Sequence, residues 1–196
     1  MKDKIINIIA ILLIVTGISL IGYIVYSKYE SSKDQDKMKT EFYNIIHESS
    51  DKNKAKDSKA GNTEKYEGPK PIALLKIPKI NVEVGVAEGT SDYVLRYAAG
   101  HFENTAQPGE KGNFAVAGHR NLVYADYFAD LDKLVKGDKV IVSTKDGDYT
   151  YIVEKNFIVS PEHSEVLNKT DDATITMVTC TFGAKNRIIV TGKLQK

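Results

Sequence analysis

At 196 residues the chain has room for one compact domain plus attachments. Its 27 basic and 26 acidic side chains leave a net charge of +1, which gives no footing for nucleic-acid binding, a function that needs a clear basic excess. A single cysteine, Cys180, excludes an intrachain disulfide, so the fold must stand on packing alone.

Met1 to Lys4 is a short basic head, and Ile5 to Tyr26 follows without a charge. As a helix that stretch spans roughly 33 Å at about 1.5 Å per residue, enough for a hydrocarbon core of about 30 Å. A cleavable signal peptide is the rival reading. Its apolar core is usually about 7–15 residues long and ends at small residues, and Gly22-Tyr23-Ile24-Val25-Tyr26 offers no such end. The adopted reading is therefore an uncleaved single-pass anchor over residues 1–26. Lys2 and Lys4 favour a cytoplasmic N-terminus, against Lys28 and Lys33 on the other side, and the C-terminal domain is then the exported part.

Residues 27–65 form a charged stalk or linker. Met38, Phe42, Ile45 and Ile46 recur at helical spacing, so its first half could be an amphipathic helix that packs on the domain or continues the anchor. Ser49 to Lys65 is nearly devoid of apolar residues and reads as a solvated tether.

From residue 66 the texture is that of a folded domain. Ile72 to Ile77, bounded by Pro71 and Pro78, reads as a strand near a sheet edge. Ile80, Val82, Val84 and Val86 alternate with Asn81, Glu83 and Gly85, the mark of a half-buried strand. Ser91 is placed to cap a short helix over Asp92 to Tyr97. Thr105 to Gly112 is a loop, and Asn113 to Gly118 is a short strand that delivers His119 and Arg120. Tyr127, Phe128, Leu131, Leu134 and Val135 share one helical face. Lys139 to Ser143 and Tyr149 to Val159 are strands joined through Lys145-Asp146-Gly147, a hairpin turn. A polar loop over Pro161 to Ala173 leads to the strand Thr174 to Thr179, and a tight connection with Gly183 leads to the strand Arg187 to Leu194. About eight closely spaced strands predict an all-β domain closed, or nearly closed, into a barrel.

The last two strands bring the Cys180 thiol and the Arg187 guanidinium together. A cysteine nucleophile needs a base or a cation beside it to form thiolate. His47 lies in the stalk and is poorly placed, whereas His101, His119 and His163 all lie in the domain. His119 is favoured because it ends a strand of small residues, Ala115-Val116-Ala117-Gly118. Arg187 could hold a substrate carbonyl or the oxyanion formed on attack; its ordinary alternative is a strand-edge ion pair. For Cys180 the ordinary alternative is a small buried hydrophobe.

Three blocks carry a more specific message: A-L-L-K-I-P-K-I-N-V-E-V-G-V-A-E-G-T at 73–90, G-H-F-E-N-T-A-Q-P-G-E-K-G-N-F-A-V-A-G-H-R at 100–120, and T-M-V-T-C-T-F-G-A-K-N-R-I-I-V-T-G at 176–192. In this order, and behind a membrane anchor, they resemble the conserved blocks of sortases. The resemblance implies an eight-stranded sortase-like β-barrel with two or three short helices over residues 66–196. It also implies an active site of Cys180, His119 and Arg187, with Thr179 at a position that supports the oxyanion. Such enzymes cleave Leu-Pro-x-Thr-Gly sorting signals at the C-termini of surface proteins, between Thr and Gly. They pass the thioacyl intermediate to an amine of the cell wall, such as a peptidoglycan precursor. The absence of a long insertion between Val159 and Thr174, the lack of an aromatic lid before the barrel, and the short Cys180–Arg187 connection resemble class D or class A members. No cofactor is implied. The acids Asp126, Asp130, Asp132, Glu162, Glu165, Asp171 and Asp172 are scattered, so no metal site is expected.

Val166 and Leu167 in the loop before the nucleophile strand are candidate apolar contacts of the peptide groove. Two other readings remain open at this point. One is a Cys-His cell-wall peptidase in which water accepts the acyl group. The other is a non-enzymatic anchored β-barrel whose cysteine is structural.

Overall fold

A computed structural model describes residues 2–50, 68–120 and 126–195, with backbone alone at 2–3 and 47–50. The order is helix α1 (Lys2–Ser50), strands β1 (Pro71–Ile77) and β2 (Val82–Glu88), helix α2 (Asp92–Tyr97), then strands β3 (Ala99–His101), β4 (Gly112–Ala117), β5 (Lys139–Thr144), β6 (Gly147–Val159), β7 (Ala173–Cys180) and β8 (Arg187–Leu194). The strands close into a barrel in the order β1-β2-β3-β4-β7-β8-β6-β5. β2–β3 and β4–β7 are parallel and the other pairs antiparallel.

The barrel interior is filled by the inward half of each strand's alternation. Leu75, Val84, Val86, Phe114, Val116, Val142, Val153, Ile175, Met177 and Val190 meet there, with Phe128, Leu131 and Leu134 from the connection between β4 and β5. Ser91 does cap α2, its side chain accepting from Val94 N. The β5–β6 hairpin turns over Lys145 and Asp146 into Gly147 at φ +136, a conformation that favours glycine.

Four expectations change. Pro71 and Pro78 do not mark an edge, because β1 is paired on both sides, with β2 and with β5. The prolines instead bracket the strand: Pro71 begins it and Pro78 opens a 3-10 turn. The Tyr127–Val135 stripe is not a helix; it folds as turns with a 3-10 segment at Leu131–Lys133, and Val135 is 56% exposed. β2 is not half-buried, since Gly85 and Ala87 on its outer face are covered as well. A three-residue strand, β3, stands where none was read. Gly100 permits it, because a side chain there would strike the carbonyl oxygen of Gly89.

The cover on β2 is α1. The helix runs unbroken from its apolar, exposed first half into the stalk, where Gln35, Met38 and Phe42 are buried against the barrel. It is the one helix among the described residues long and apolar enough to cross a membrane. The expected tether from Ser49 to Lys65 lies, beyond the end of α1, outside the described residues.

Candidate active site

β4, β7 and β8 lie side by side, and their outer face carries the candidate site. On β7, Ile175 and Met177 point into the core, so alternation turns Thr176, Val178 and Cys180 outwards. Cys180 pairs with Arg187 across the β7–β8 ladder. Opposed residues of an antiparallel pair project to the same face, about 4.5–5.5 Å apart at Cβ. Both side chains are half-buried.

β4 runs parallel to β7 with Ala117 opposite Val178. Past the end of that ladder the two chains stay joined: Gly118 N donates to Val178 O at 3.0 Å, and Thr179 Oγ1 donates to Gly118 O at 2.8 Å. His119 follows directly, half-buried, beside the chain that carries Cys180. Gly118 is bare for a steric reason, since a Cβ there would come 2.5 Å from the Phe128 ring. Cys180, His119 and Arg187 thus converge at one end of three neighbouring strands. The Thr179 hydroxyl proton is committed to holding two of those strands together.

The β7–β8 connection turns through Gly183 (φ +76) and Ala184 (φ +55). Its carbonyls hold Arg187, whose Nη1 donates to Ala184 O at 3.2 Å and to Asn186 O at 3.3 Å. Glu162 lies within electrostatic reach. Its own backbone N–H and the Ser160 hydroxyl hold its carboxyl below the usual carboxylate range, with a smaller contribution from Arg187.

Sequence reasoning gave Arg120 no role, yet it ties the segment after β4 to the β7–β8 connection. Its side chain is 8% exposed, its Nη2 lies 3.2 Å from each Asp132 oxygen, and its guanidinium sits 4.5 Å over the Phe182 ring. Its place beside His119 was the only signal in the sequence. Asn113 was also overlooked: its Nδ2 donates to Val166 O at 2.9 Å and to Asn168 O at 3.3 Å, fixing the β6–β7 loop on β4.

The other histidines are engaged elsewhere. His101 is fully buried; its Nδ1 lies 3.0 Å from both Glu88 oxygens, and its Nε2 lies 3.0 Å from Thr105 Oγ1 and 3.1 Å from Ala106 O. His163 is exposed and pairs with Glu165 at 3.0 Å. The His47 side chain lies outside the described residues. Val166 and Leu167 sit half-buried in a 3-10 turn of the β6–β7 loop. Leu167, though not Val166, lines a cavity of about 550 Å³ with Thr90, Val94, Phe102 and Thr105. Four of the scattered acids have cations of their own: Asp126 has Lys28, Asp130 has Lys133, Asp132 has Arg120 and Asp172 has Lys193. Among the described residues no three His, Cys, Asp or Glu side chains are grouped to hold a metal ion.

Residues 75–195 match the family model of the sortase domain. The chain is 37% identical over 147 residues to sortase SrtE1 of Streptomyces coelicolor, covering 66% of this chain but only 42% of that relative's length. It is 29% identical over 202 residues to sortase A of Bacillus anthracis, covering 98% of this chain and 96% of the relative. Among solved structures it is similar to a sortase D5 transpeptidase of Clostridium perfringens, with a TM-score of 0.65 at 36% identity over 85% of this chain and 98% of that one. With its barrel matched almost end to end, the chain belongs to the sortase family of transpeptidases.

Proposed function

We propose that the chain is a membrane-anchored cysteine transpeptidase of the class D or A-like kind, acting on Leu-Pro-x-Thr-Gly sorting signals of surface proteins. One observation carries this reading: Cys180 stands opposite Arg187 on β7 and β8, while His119 follows Gly118, which is hydrogen-bonded to Val178 and Thr179, the two residues just before Cys180. Residues 1–26 are the cytoplasmic head and anchor, 27–65 the stalk, and 66–196 the exported catalytic domain.

The signal lies extended over the outer face of β4 and β7. The open end of that floor is built from small or β-branched side chains, Ala117 and Val178, which let a second backbone approach closely, while Ala115 and Thr176 further along it are covered. Five extended residues cover about 17 Å at about 3.4 Å each. The Thr carbonyl then rests at Cys180 while the Leu-Pro end points towards Leu167 and its cavity.

The reaction starts from a Cys180 thiolate beside a protonated His119. The sulfur attacks the Thr carbonyl carbon, and the oxyanion is met by the Arg187 guanidinium, which has donors beyond the one bound to its own turn. As the C–N bond breaks, His119 gives its proton to the leaving Gly nitrogen, and the acyl group stays on sulfur as a thioester. An amine of the cell wall, such as a peptidoglycan precursor, attacks that thioester. His119 takes the amine's proton and the thiolate leaves. Thr179 supports the oxyanion site by fixing the strand ends, its own hydroxyl being spent on Gly118 O. No step calls for a metal or cofactor.

The test incubates the protein with a Leu-Pro-x-Thr-Gly peptide library, x randomised, and triglycine. A Thr-triglycine adduct formed by the native protein and absent with Cys180→Ala is expected. Hydrolysis without adduct under every condition would convert the reading to a Cys-His peptidase. No cleavage, with Cys180 inert to thiol reagents in the folded protein, would favour the anchored non-enzymatic barrel.

A further inference from the structure

The stalk half of α1 grips the barrel closely. Met38 is fully buried over β2, and Gly85 beneath it is bare; a Cβ there would come 2.6 Å from the Met38 sulfur. Helix and sheet approach as they do because that position has no side chain.

What α1 holds leads back to His119. Lys28 Nζ lies 3.1 Å from Asp126 Oδ2. The Tyr127 hydroxyl lies 3.4 Å from Ser31 Oγ, accepts from Gln35 Nε2 at 3.2 Å and donates to Arg96 O at 3.2 Å. Gln35 is itself pinned, its amide nitrogen donating to Tyr97 O and its oxygen accepting from Gly85 N at 3.4 Å. Burial pushes the Tyr127 hydroxyl above its ordinary range, so it stays neutral and able to donate. The next residue, Phe128, is fully buried, lays its ring against Gly118, and donates its backbone N–H to His119 O at 3.2 Å.

β4 ends at Ala117, so the sheet ladder does not reach His119. The backbone there is held from one side by β7, through Gly118, and from the other by Phe128. Phe128 in turn stands on a residue clamped by the stalk. We infer that the stalk half of α1 is a positioning element of the active site, with Gln35 and Tyr127 as the positioning residues that set His119 through Phe128. This rests on the reading of His119 as the proton donor and acceptor of the reaction. It makes the membrane attachment and the catalytic geometry parts of one helix.

The experiment uses the full chain in detergent micelles and the best-cleaved peptide of the library. Tyr127→Phe removes one hydroxyl and keeps the ring; Gln35→Ala removes the clamp from the helix side; Thr40→Ala, on the exposed face of the same helix, is the control. Tyr127→Phe and Gln35→Ala are expected to lower kcat about tenfold with KM within about twofold, since small misplacements of a catalytic group act on the reacting geometry. The His119 ring Cε1–H resonance, assigned with His119→Ala, should move in both and stay in place in Thr40→Ala. Native kcat in both variants, or a loss of kcat with the His119 resonance unmoved, overturns the inference while leaving the site reading intact. Full turnover in His119→Ala would instead overturn the site reading, and this inference with it.

Discussion

The two connections that flank β4 each follow a Gly-His pair, and they are secured differently. Residues 102–111, after Gly100-His101, are held from inside the barrel. His101 reaches Thr105 and Ala106, and the buried Tyr151 hydroxyl accepts from Gly109 N at 2.8 Å. The described part of the connection after Gly118-His119 also sends Phe128, Leu131 and Leu134 into the core, but it is clamped from outside as well, by Tyr127 against the stalk helix. His101 has Glu88 on one ring nitrogen and a carbonyl on the other, and Thr105 already donates to Phe102 O at 2.7 Å. Both ring nitrogens are engaged by partners inside the fold, and the ring is fully buried. The difference separates a histidine fully buried in the fold from one half-buried at a strand end.

The strongest way to break this distinction is to exchange the expected losses. His119→Ala should lower kcat by about 10²–10⁴-fold, the usual contribution of a positioned acid or base, with the thermal midpoint nearly unchanged. Peptide turnover and calorimetry measure the two sides. Native turnover in this variant would hand the role to another histidine.

His101→Ala should show the reverse. It empties a fully buried site and strips partners from Thr105 and Ala106, at a cost of about 2–4 kcal/mol in denaturant unfolding. Turnover per folded molecule should stay within a few-fold of native. A loss comparable to that of His119→Ala, at native stability, would refute the structural role.

Gly118→Ala bears on both quantities at once. The new Cβ meets the Phe128 ring, and overpacking of that kind costs about 1–3 kcal/mol. Because Phe128 also holds His119 O, kcat should fall along with stability, whereas Gly147→Ala, in the open β5–β6 turn, should cost stability alone.

Much of this was legible in the chain itself. Alternating apolar residues and hairpin signals mark seven of the strands within a residue or two, and the seven-residue spacing of Cys180 and Arg187 across a glycine turn foretells their pairing. The different settings of His101 and His119 were not legible from spacing, because both follow glycine at a strand end and the partners that hold His101, Glu88 and Thr105, are brought in by the fold. β3 is too short to show a period. The stalk stripe was visible, but its seat was not. Gly85 looked like the polar half of an ordinary alternation, and only the close approach of Met38 explains it. The Arg120–Asp132–Phe182 cluster joins three segments by side chains alone, which no local pattern reports.

A third connection, between β7 and β8, opens at the same end as His119 and is held by neither the core nor the stalk, which makes it the place for the smallest expected effect. Ala184 sits at φ +55, a left-handed conformation that costs an L-residue roughly 1–2 kcal/mol and glycine almost nothing. Ala184→Gly relieves that cost, but it also widens the unfolded ensemble, which takes back about 0.4–1 kcal/mol. Residue 184 is exposed, so no packing is lost. The balance is a gain of up to about 1.6 kcal/mol in denaturant unfolding. The Ala184 carbonyl that holds Arg187 Nη1 belongs to the backbone and is kept, so turnover should stay within about twofold if the turn itself is unchanged. A variant that is more stable yet markedly slower would mean that the strained turn sets where Arg187 points, and that the rigidity of this mouth resides in the connection after Cys180 as well as in the stalk.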